Sequence, residues 1–141
     1  MGYDPFERGP FPVGVSTHQF TDASRGRTLT VEAYYPATEE YAGLDTDPST
    51  QDSYEVAGLS GEPGSILRQA AVRDAARRDR GRHVVLLCHG YAGHRRESTF
   101  MATHLASHGF VVASADYSGS TFEDIDKLVS AAKAEGRRYY R

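Results

Sequence analysis

The clearest structural signal is a run of five apolar residues, VVLLC, at positions 84–88. A continuous apolar run of this length is typical of a strand that is covered on both faces. A glycine-containing turn follows at 89–93, a helix is predicted over about 95–108, and a second apolar run occupies 110–115. Strand, helix and strand in this order predict a parallel βαβ unit and therefore an α/β fold.

A second helix is predicted after this unit. Ser120 and Glu123 have the spacing of a capping box, and Gly136 ends the helix that they open. In parallel sheets the chemistry lies beyond the carboxyl ends of the strands. We therefore expect the turn at 89–93 and the loop at 116–121 to share one functional rim.

The amino-terminal part of the chain predicts a hairpin. Strands are expected at Pro12–Phe20 and Thr28–Tyr35, joined by a polar turn at 22–27. In the second strand, apolar residues alternate with polar ones and predict the buried face: Leu29, Val31, Ala33 and Tyr35. The chain is thus interpreted as an N-terminal hairpin followed by a parallel βαβα unit.

The segment between the hairpin and the βαβα unit is polar. Residues 37–64 contain seven acidic side chains and no Lys or Arg. We interpret them as an acidic mobile loop, because a structureless stretch of this length is usually functional or mobile. After Ser65, which is a candidate cap, apolar residues with helical spacing predict a helix that stops at Gly81: Ile66, Leu67, Ala70, Ala71 and Ala75.

This predicted helix is rich in arginine from Arg68 to Arg82. Clustered arginines occur in nucleic-acid interfaces. However, the chain has a net charge of −3 and no aromatic residues interleave these arginines. We therefore expect a solvated helix face and no nucleic-acid partner.

Composition narrows the class of protein. Leu, Ile, Val and Phe make up 26 of the 141 residues, which is a thin core that fits a modest complete domain or part of a larger one. No apolar run approaches the ~18 residues that span a membrane, and residues 1–10 lack the pattern of a signal peptide. The single cysteine, Cys88, is interpreted as a small buried apolar residue. We expect a cytoplasmic protein without a membrane span.

Four polar side chains of the βαβα unit are candidates for chemistry. His104 and His108 lie four residues apart on a predicted helix, which is a spacing of metal ligands. No glutamate stands beside His104, and we expect no metal site and no cofactor. Asp116 is expected to brace a loop, and His94 to line the mouth of a pocket.

The order of these motifs resembles the α/β-hydrolase superfamily, and more closely its dienelactone-hydrolase-like and platelet-activating-factor acetylhydrolase-like branch. Residues Tyr3–Val15 and Thr28–Pro36 are similar to the first two strands of that group. His89-Gly90-Tyr91-Ala92-Gly93 resembles its oxyanion turn. His108–Val112 and Asp116–Phe122 resemble the next strand and its loop.

The resemblance implies roles for the residues of the turn. In such enzymes a backbone N–H just after the His-Gly pair stabilises the tetrahedral oxyanion, and here this N–H belongs to Tyr91. Gly90 and Gly93 would let the backbone turn tightly and approach the substrate. His89 would brace the loop through its imidazole, and Ala92 completes the turn.

The nucleophile that the resemblance implies is absent. The elbow Gly-x-Ser-x-Gly, or its Cys variant, does not occur: Gly14–His18 lacks the second glycine, and Gly58–Glu62 has it one place early. The acid and base of the triad would follow the elbow in the chain. We interpret residues 1–141 as the amino-terminal part of one α/β-hydrolase domain, truncated before the nucleophile elbow.

The predicted function is therefore that of a serine-type carboxylic ester hydrolase acting on a small-molecule ester. The chain would represent its oxyanion-hole half and would be inactive in isolation. The alternative is a non-catalytic pseudoenzyme or interaction module, because the triad is missing. In the implied sheet the apolar strand 83–88 lacks one neighbour, so self-association through its bare edge is also expected.

Overall fold

A long hairpin opens the fold in the computed structural model, which describes residues 6–56, 63–79 and 83–139. Strands β1 (Val13–Asp22) and β2 (Arg27–Pro36) pair antiparallel along their whole length. The predicted hairpin and its polar turn are thereby confirmed.

Three short strands follow the hairpin: β3 (Asp52–Val56), β4 (Ser65–Gln69) and β5 (Val72–Arg73). β3 and β4 pair antiparallel, and β5 joins β1 in parallel. The expectation that 37–64 is a structureless loop is wrong over its described part, which holds β3 and a 3-10 turn at Glu39–Tyr41. The helix predicted after Ser65 is also wrong, and Gly81, its predicted end, lies outside the described residues together with 57–62.

Tertiary hydrogen bonds explain why a strand forms where the spacing predicted a helix. Ile66 and Leu67 are exposed, whereas the smaller Ala71 and Ala75 of the same pattern are buried, so the pattern does not define one buried helix face. Gln69 is buried: its Oε1 accepts from the Tyr34 hydroxyl at 3.0 Å, and its Nε2 donates to Asp52 Oδ2 at 2.5 Å. These bonds to β2 and β3 hold β4 in an extended conformation.

The βαβα unit is confirmed. β6 (Val84–Leu87), α1 (Thr99–Ser107), β7 (Val111–Ala115) and α2 (Phe122–Ala134) follow in the predicted order. β6 and β7 are parallel, and β7 also pairs antiparallel with β2. The strands of the main sheet therefore have the order β5-β1-β2-β7-β6.

β6 lies at the edge of this sheet and pairs only with β7 within the described part of the chain. The prediction that both of its faces are covered is wrong. The Val84 and Leu86 side chains are 63% and 69% exposed. The strand therefore presents a bare edge and an exposed apolar face.

The core lies between the middle of the sheet and α1. Ala102 and Ala106 on α1 pack against a small group of buried side chains from the strands: Val13, Val15, Tyr34 and Val112. The two small residues let the helix approach the sheet closely. Of the helices in the described ranges, neither has the length and apolar character needed to cross a membrane.

The start of α2 is fixed by a capping box one residue later than predicted. Asp124 N donates to Thr121 Oγ1 at 3.2 Å, and Thr121 N donates to Asp124 Oδ2 at 3.3 Å. The hydrogen bond from the Thr121 hydroxyl also lowers the pKa of the Asp124 carboxyl. The predicted Ser120/Glu123 box is wrong because Ser120 precedes the N-cap.

Thr121→Ala is expected to lower the free energy of unfolding by about 1 kcal/mol, because it removes the oxygen that caps the helix. Ser120→Ala is the matched control, and it should change the same free energy by less than about 0.5 kcal/mol. Urea unfolding curves of the three proteins measure both effects. Equal losses from the two substitutions would contradict this position of the cap.

Candidate functional site

The turn after β6 and the loop after β7 lie side by side at the carboxyl ends of their strands. Ala92 N donates to the Ser120 carbonyl oxygen at 3.0 Å. Gly93 forms a parallel bridge with Thr121. The two segments make one rim, as the sheet topology predicts.

His89 ties the turn to the neighbouring loop. Its Nε2 accepts from the Tyr117 backbone N–H at 3.1 Å, and its Nδ1 donates to the Gly90 carbonyl oxygen at 2.7 Å. These two partners place the proton on Nδ1. Both ring nitrogens are occupied, which suits a brace and leaves neither free to take a proton from a nucleophile.

The backbone of the turn is constrained at two positions. Ala92 has a φ of +59°, a left-handed conformation that costs a non-glycine residue about 1–3 kcal/mol and persists only where the surroundings hold it. A side chain at Gly93 would collide with the Glu97 carboxylate, and its Cβ would lie 3.0 Å from that of His89. A larger residue at position 93 would therefore have to displace the Glu97 carboxylate and crowd His89.

Tyr91 lies at the tip of the turn. Its side chain is 48% exposed, and its hydroxyl donates to the Tyr139 hydroxyl at 3.2 Å. The backbone N–H of Tyr91 is the group that the resemblance assigns to the oxyanion. That role stays a prediction.

A groove of about 660 Å³ adjoins the turn. Ala92 and Gly93 line it, whereas His89, Gly90 and Tyr91 are not among its lining residues. The rest of its wall includes residues of β2, β3, the start of α2 and the loops beyond the sheet: Thr28, Thr30, Val56, His94, Asp116 and Phe122.

His94 lines this groove as predicted. Burial lowers the pKa of its imidazole, against the opposite effects of Asp116 and Glu97. The ring is therefore neutral near pH 7. Its Nδ1 accepts from the Arg96 backbone N–H at 3.1 Å, which leaves Nε2 to carry the proton.

Two further residues of the groove wall, Arg95 and Arg96, bind a fully buried carboxylate. Their Nε atoms both lie 3.2 Å from Oε2 of Glu32, which is in the middle of β2. Arg73 from β5 approaches the other oxygen, with its Nη1 2.7 Å from Oε1. Thr17 Oγ1 on the paired strand donates to Oε2 at 3.1 Å.

The same arginines reach two other carboxylates. Arg73 donates to Asp52 through Nε at 2.8 Å and through Nη2 at 2.6 Å. Arg95 bonds Asp116 through its guanidinium and through its backbone N–H, the latter at 2.7 Å. Burial lowers the pKa of Arg95, but Asp116 and Glu32 raise it by more, so the guanidinium stays charged. Asp116 thus braces a loop, as predicted. We call these six side chains the ion cluster: Glu32, Asp52, Arg73, Arg95, Arg96 and Asp116.

The ion cluster was not predicted from the sequence. The face of β2 that was expected to be buried holds Val31 and Ala33, but Glu32 and Tyr34 on the opposite face are the ones with no exposed surface. Val31 and Ala33 are only partly buried, so the alternation of apolar residues selects the more exposed face in this part of β2. The available signal was that Glu32 is the one charged residue in 28–36.

Two sequence-based interpretations are corrected here. Cys88 is exposed and not a buried apolar residue, and its Sγ lies 3.2 Å from the Tyr117 hydroxyl. The hydrogen bond with Cys88 raises the pKa of Tyr117.

The described arginines after Arg68 do not all lie on the solvated face that was expected. Arg73 belongs to the ion cluster, and the Arg78 guanidinium lies 4.7 Å from the centre of the Phe11 ring.

His104 on α1 and His108, which caps the carboxyl end of this helix, lie close together. The ring centres of His104 and His108 are 4.7 Å apart, and His108 Nε2 is 3.1 Å from the Glu7 carbonyl oxygen. Over residues 6–56, 63–79 and 83–139, no group of three or more His, Cys, Asp and Glu side chains is placed to hold a metal ion.

The fold resembles part of a solved structure. No family model and no curated protein matches the chain. Among solved structures, the chain is similar to the ferulic acid esterase from Streptomyces cinnamoneus at 2.4 Å resolution, with 23% identity and a TM-score of 0.57. The match covers 79% of this chain and 35% of that esterase, so the chain spans about a third of its length. At this identity the likeness concerns the mixed α/β fold alone.

Proposed function

We propose that residues 1–141 form the oxyanion-hole part of a serine-type carboxylic ester hydrolase. The observation that supports this most is the turn His89–Gly93, held at the carboxyl end of β6 by hydrogen bonds to the loop after β7. In an α/β sheet this rim is where ligands bind. The finer placement, in the dienelactone-hydrolase-like or platelet-activating-factor acetylhydrolase-like branch, rests on the order of the motifs in the sequence.

The proposed chemistry assigns one group of this chain to the reaction. A serine hydroxyl, supplied by residues outside the 141, attacks the ester carbonyl carbon while a histidine takes its proton. The carbonyl oxygen becomes an oxyanion, and the Tyr91 backbone N–H donates a hydrogen bond to it. The alcohol leaves with the proton from the histidine, and water then hydrolyses the acyl-enzyme.

Because the sequence contains no nucleophile elbow, the test of this proposal compares the 141-residue chain with the product of the complete reading frame. The product of the complete reading frame is assayed with p-nitrophenyl acetate beside the 141-residue chain alone. We expect hydrolysis by the former and none by the latter. A reading frame that ends at Arg141, with no hydrolysis by its product, would favour the non-catalytic alternative.

Cys88 provides a separate check on this proposal. The thiol is exposed on the same rim, next to Tyr117. If the 141-residue chain hydrolyses the ester and Cys88→Ala abolishes that activity, Cys88 is the nucleophile and the serine assignment is wrong. We expect Cys88→Ala to leave the activity of the complete product unchanged.

We further propose that the 141-residue chain self-associates through the bare edge of β6. Unpaired strands with apolar side chains pair readily with a second copy, and an added lysine opposes such pairing. Leu86→Lys is therefore expected to weaken association about tenfold, or ~1.4 kcal/mol. Sedimentation over a range of concentrations measures this effect.

Phe20→Lys is the matched control for this prediction. Phe20 is also an exposed apolar residue, but it lies on β1, on the far side of β2 and β7 from the edge. We expect its substitution to leave association unchanged. A wild-type chain that stays monomeric at every concentration would contradict the proposal.

A further inference from the structure

The interior of the sheet holds a charge that the proposed chemistry does not use. Glu32 is a charged residue with no exposed surface. It lies on a middle strand of the sheet, beside the fully buried Tyr34 on the same face. Burying a carboxylate costs several kcal/mol unless partners offset it. An apolar residue at this position of β2 would carry no such cost, so the charge calls for an explanation beyond packing.

The partners of Glu32 connect the sheet to the rim. Arg95 joins Glu32 Oε2 to Asp116, and its backbone N–H also donates to Asp116. Asp116 N in turn donates to the Thr30 carbonyl oxygen of β2 at 2.9 Å. The first residue after Asp116 is Tyr117, whose N–H donates to His89 in the turn. A path of hydrogen bonds, continued by the peptide bond between Asp116 and Tyr117, thus runs from Glu32 to the turn.

Arg96 makes a second connection. Its Nε and Nη2 atoms lie 3.2 and 3.4 Å from the two oxygens of Glu32, and its guanidinium lies 5.2 Å from the centre of the Tyr54 ring. Its backbone N–H donates to His94 in the groove wall. Both arginines that follow His94 are therefore directed at Glu32, although the loop that carries them borders the groove.

We infer that Glu32 is a positioning residue that holds the turn His89–Gly93 and the groove wall His94–Arg96 in place through Arg95, Arg96 and Asp116. This inference rests on the proposed function for its effect on hydrolysis, but its structural part does not. Because a guanidinium offers donors in a rigid fork, a buried carboxylate can fix both the place and the orientation of the loop. An apolar contact at the same place would fix neither.

Glu32→Gln tests this inference, with amide hydrogen exchange measured in the complete product. Losing a hydrogen bond to a charged group is expected to speed exchange at the Arg95 and Tyr117 amides about tenfold, because those amides depend on Asp116 and His89. Exchange at Phe20, in the far part of β1, should stay unchanged. For ester hydrolysis, kcat should fall about tenfold with KM within about twofold, as expected for loss of an interaction made in the transition state.

Asp22→Asn is the matched control. It removes a carboxylate from the same hairpin, but one that pairs with Arg25 at the surface. We expect no change in exchange at Arg95 or Tyr117 and none in kcat. If Glu32→Gln does not fold, Arg95→Lys removes the fork between Glu32 and Asp116 and must speed exchange at Tyr117 in the same way.

The outcomes separate this inference from the proposed function. Unchanged exchange at Arg95 and Tyr117, or a uniform increase over the whole chain, would overturn the positioning role. Faster local exchange with an unchanged kcat in an active enzyme would support the positioning role and count against the proposed role of the turn in hydrolysis. Faster local exchange in a protein that hydrolyses no ester would support the role of Glu32 and count against the proposed function alone.

Discussion

Glu32→Leu is expected to lower the free energy of unfolding by about 3–5 kcal/mol, because removing one partner of a buried ion pair leaves the other charges unpaired. Three guanidinium groups lie within 3.2 Å of this one carboxylate. Domains of this size are stable by only about 5–15 kcal/mol, so the loss is a large share of the total. Urea unfolding followed by circular dichroism measures it.

Glu39→Leu is the control for this experiment. Glu39 undergoes the same chemical change, but it lies exposed in the 3-10 turn after β2. Its substitution should change the free energy of unfolding by less than about 0.5 kcal/mol. Equal midpoints for the two variants would contradict the central place of Glu32 in the ion cluster.

The expected loss is the cost of breaking the ion cluster and not its net contribution to stability. A buried ion cluster that is replaced as a whole by apolar residues often leaves stability unchanged or improves it. The cluster is therefore poorly explained as a device for stability. Its links to the groove wall are better explained by the need for one fixed loop conformation.

Local patterns were enough to predict the hairpin and the βαβα unit. The alternation in β2 and the continuous apolar runs of β6 and β7 are each bounded by residues typical of turns. Each pattern depends only on neighbours in the chain. The sheet then pairs β1 with β2 and β6 with β7, which are the strand pairs that these patterns predict.

β4 could not be predicted in the same way because its partners are distant in the chain. Its residues have helical spacing, but Gln69 bonds Tyr34 and Asp52, which lie 35 and 17 residues away. Two buried hydrogen bonds of this kind outweigh the small differences in helix propensity between residues. No window along the sequence contains that information.

The same distinction between local and distant contacts applies to the candidate site. The turn was predicted because its five residues are consecutive, 89–93. The ion cluster was not predicted because it unites side chains of β2, β3, β5 and two loops. A single charged residue, Glu32, within 28–36 was a signal, but only the fold reveals which arginines reach it.

Tyr91→Pro is expected to lower kcat of the complete product about 10²–10³-fold, because it removes the backbone N–H proposed to stabilise the oxyanion. KM should change much less, because the interaction strengthens as charge develops on the carbonyl oxygen. Among the described non-glycine residues, only Asp74 and Ala92 have a positive φ, so the backbone at Tyr91 does not exclude proline on that ground. Steady-state hydrolysis of p-nitrophenyl acetate measures both constants.

Tyr91→Phe separates the backbone group from the side chain. It keeps the N–H and removes only the hydroxyl that bonds Tyr139, so kcat should stay within about twofold of the wild type, as expected when no transition-state interaction is lost. The unfolding midpoints of both variants are compared with the wild type, because a proline that unfolds the turn would also lower kcat. A folded Tyr91→Pro enzyme with unchanged kcat would show that another donor binds the oxyanion, and Ala92, the next residue, already gives its N–H to Ser120. Such a result would therefore remove the Tyr91 and Ala92 N–H groups from the proposed chemistry.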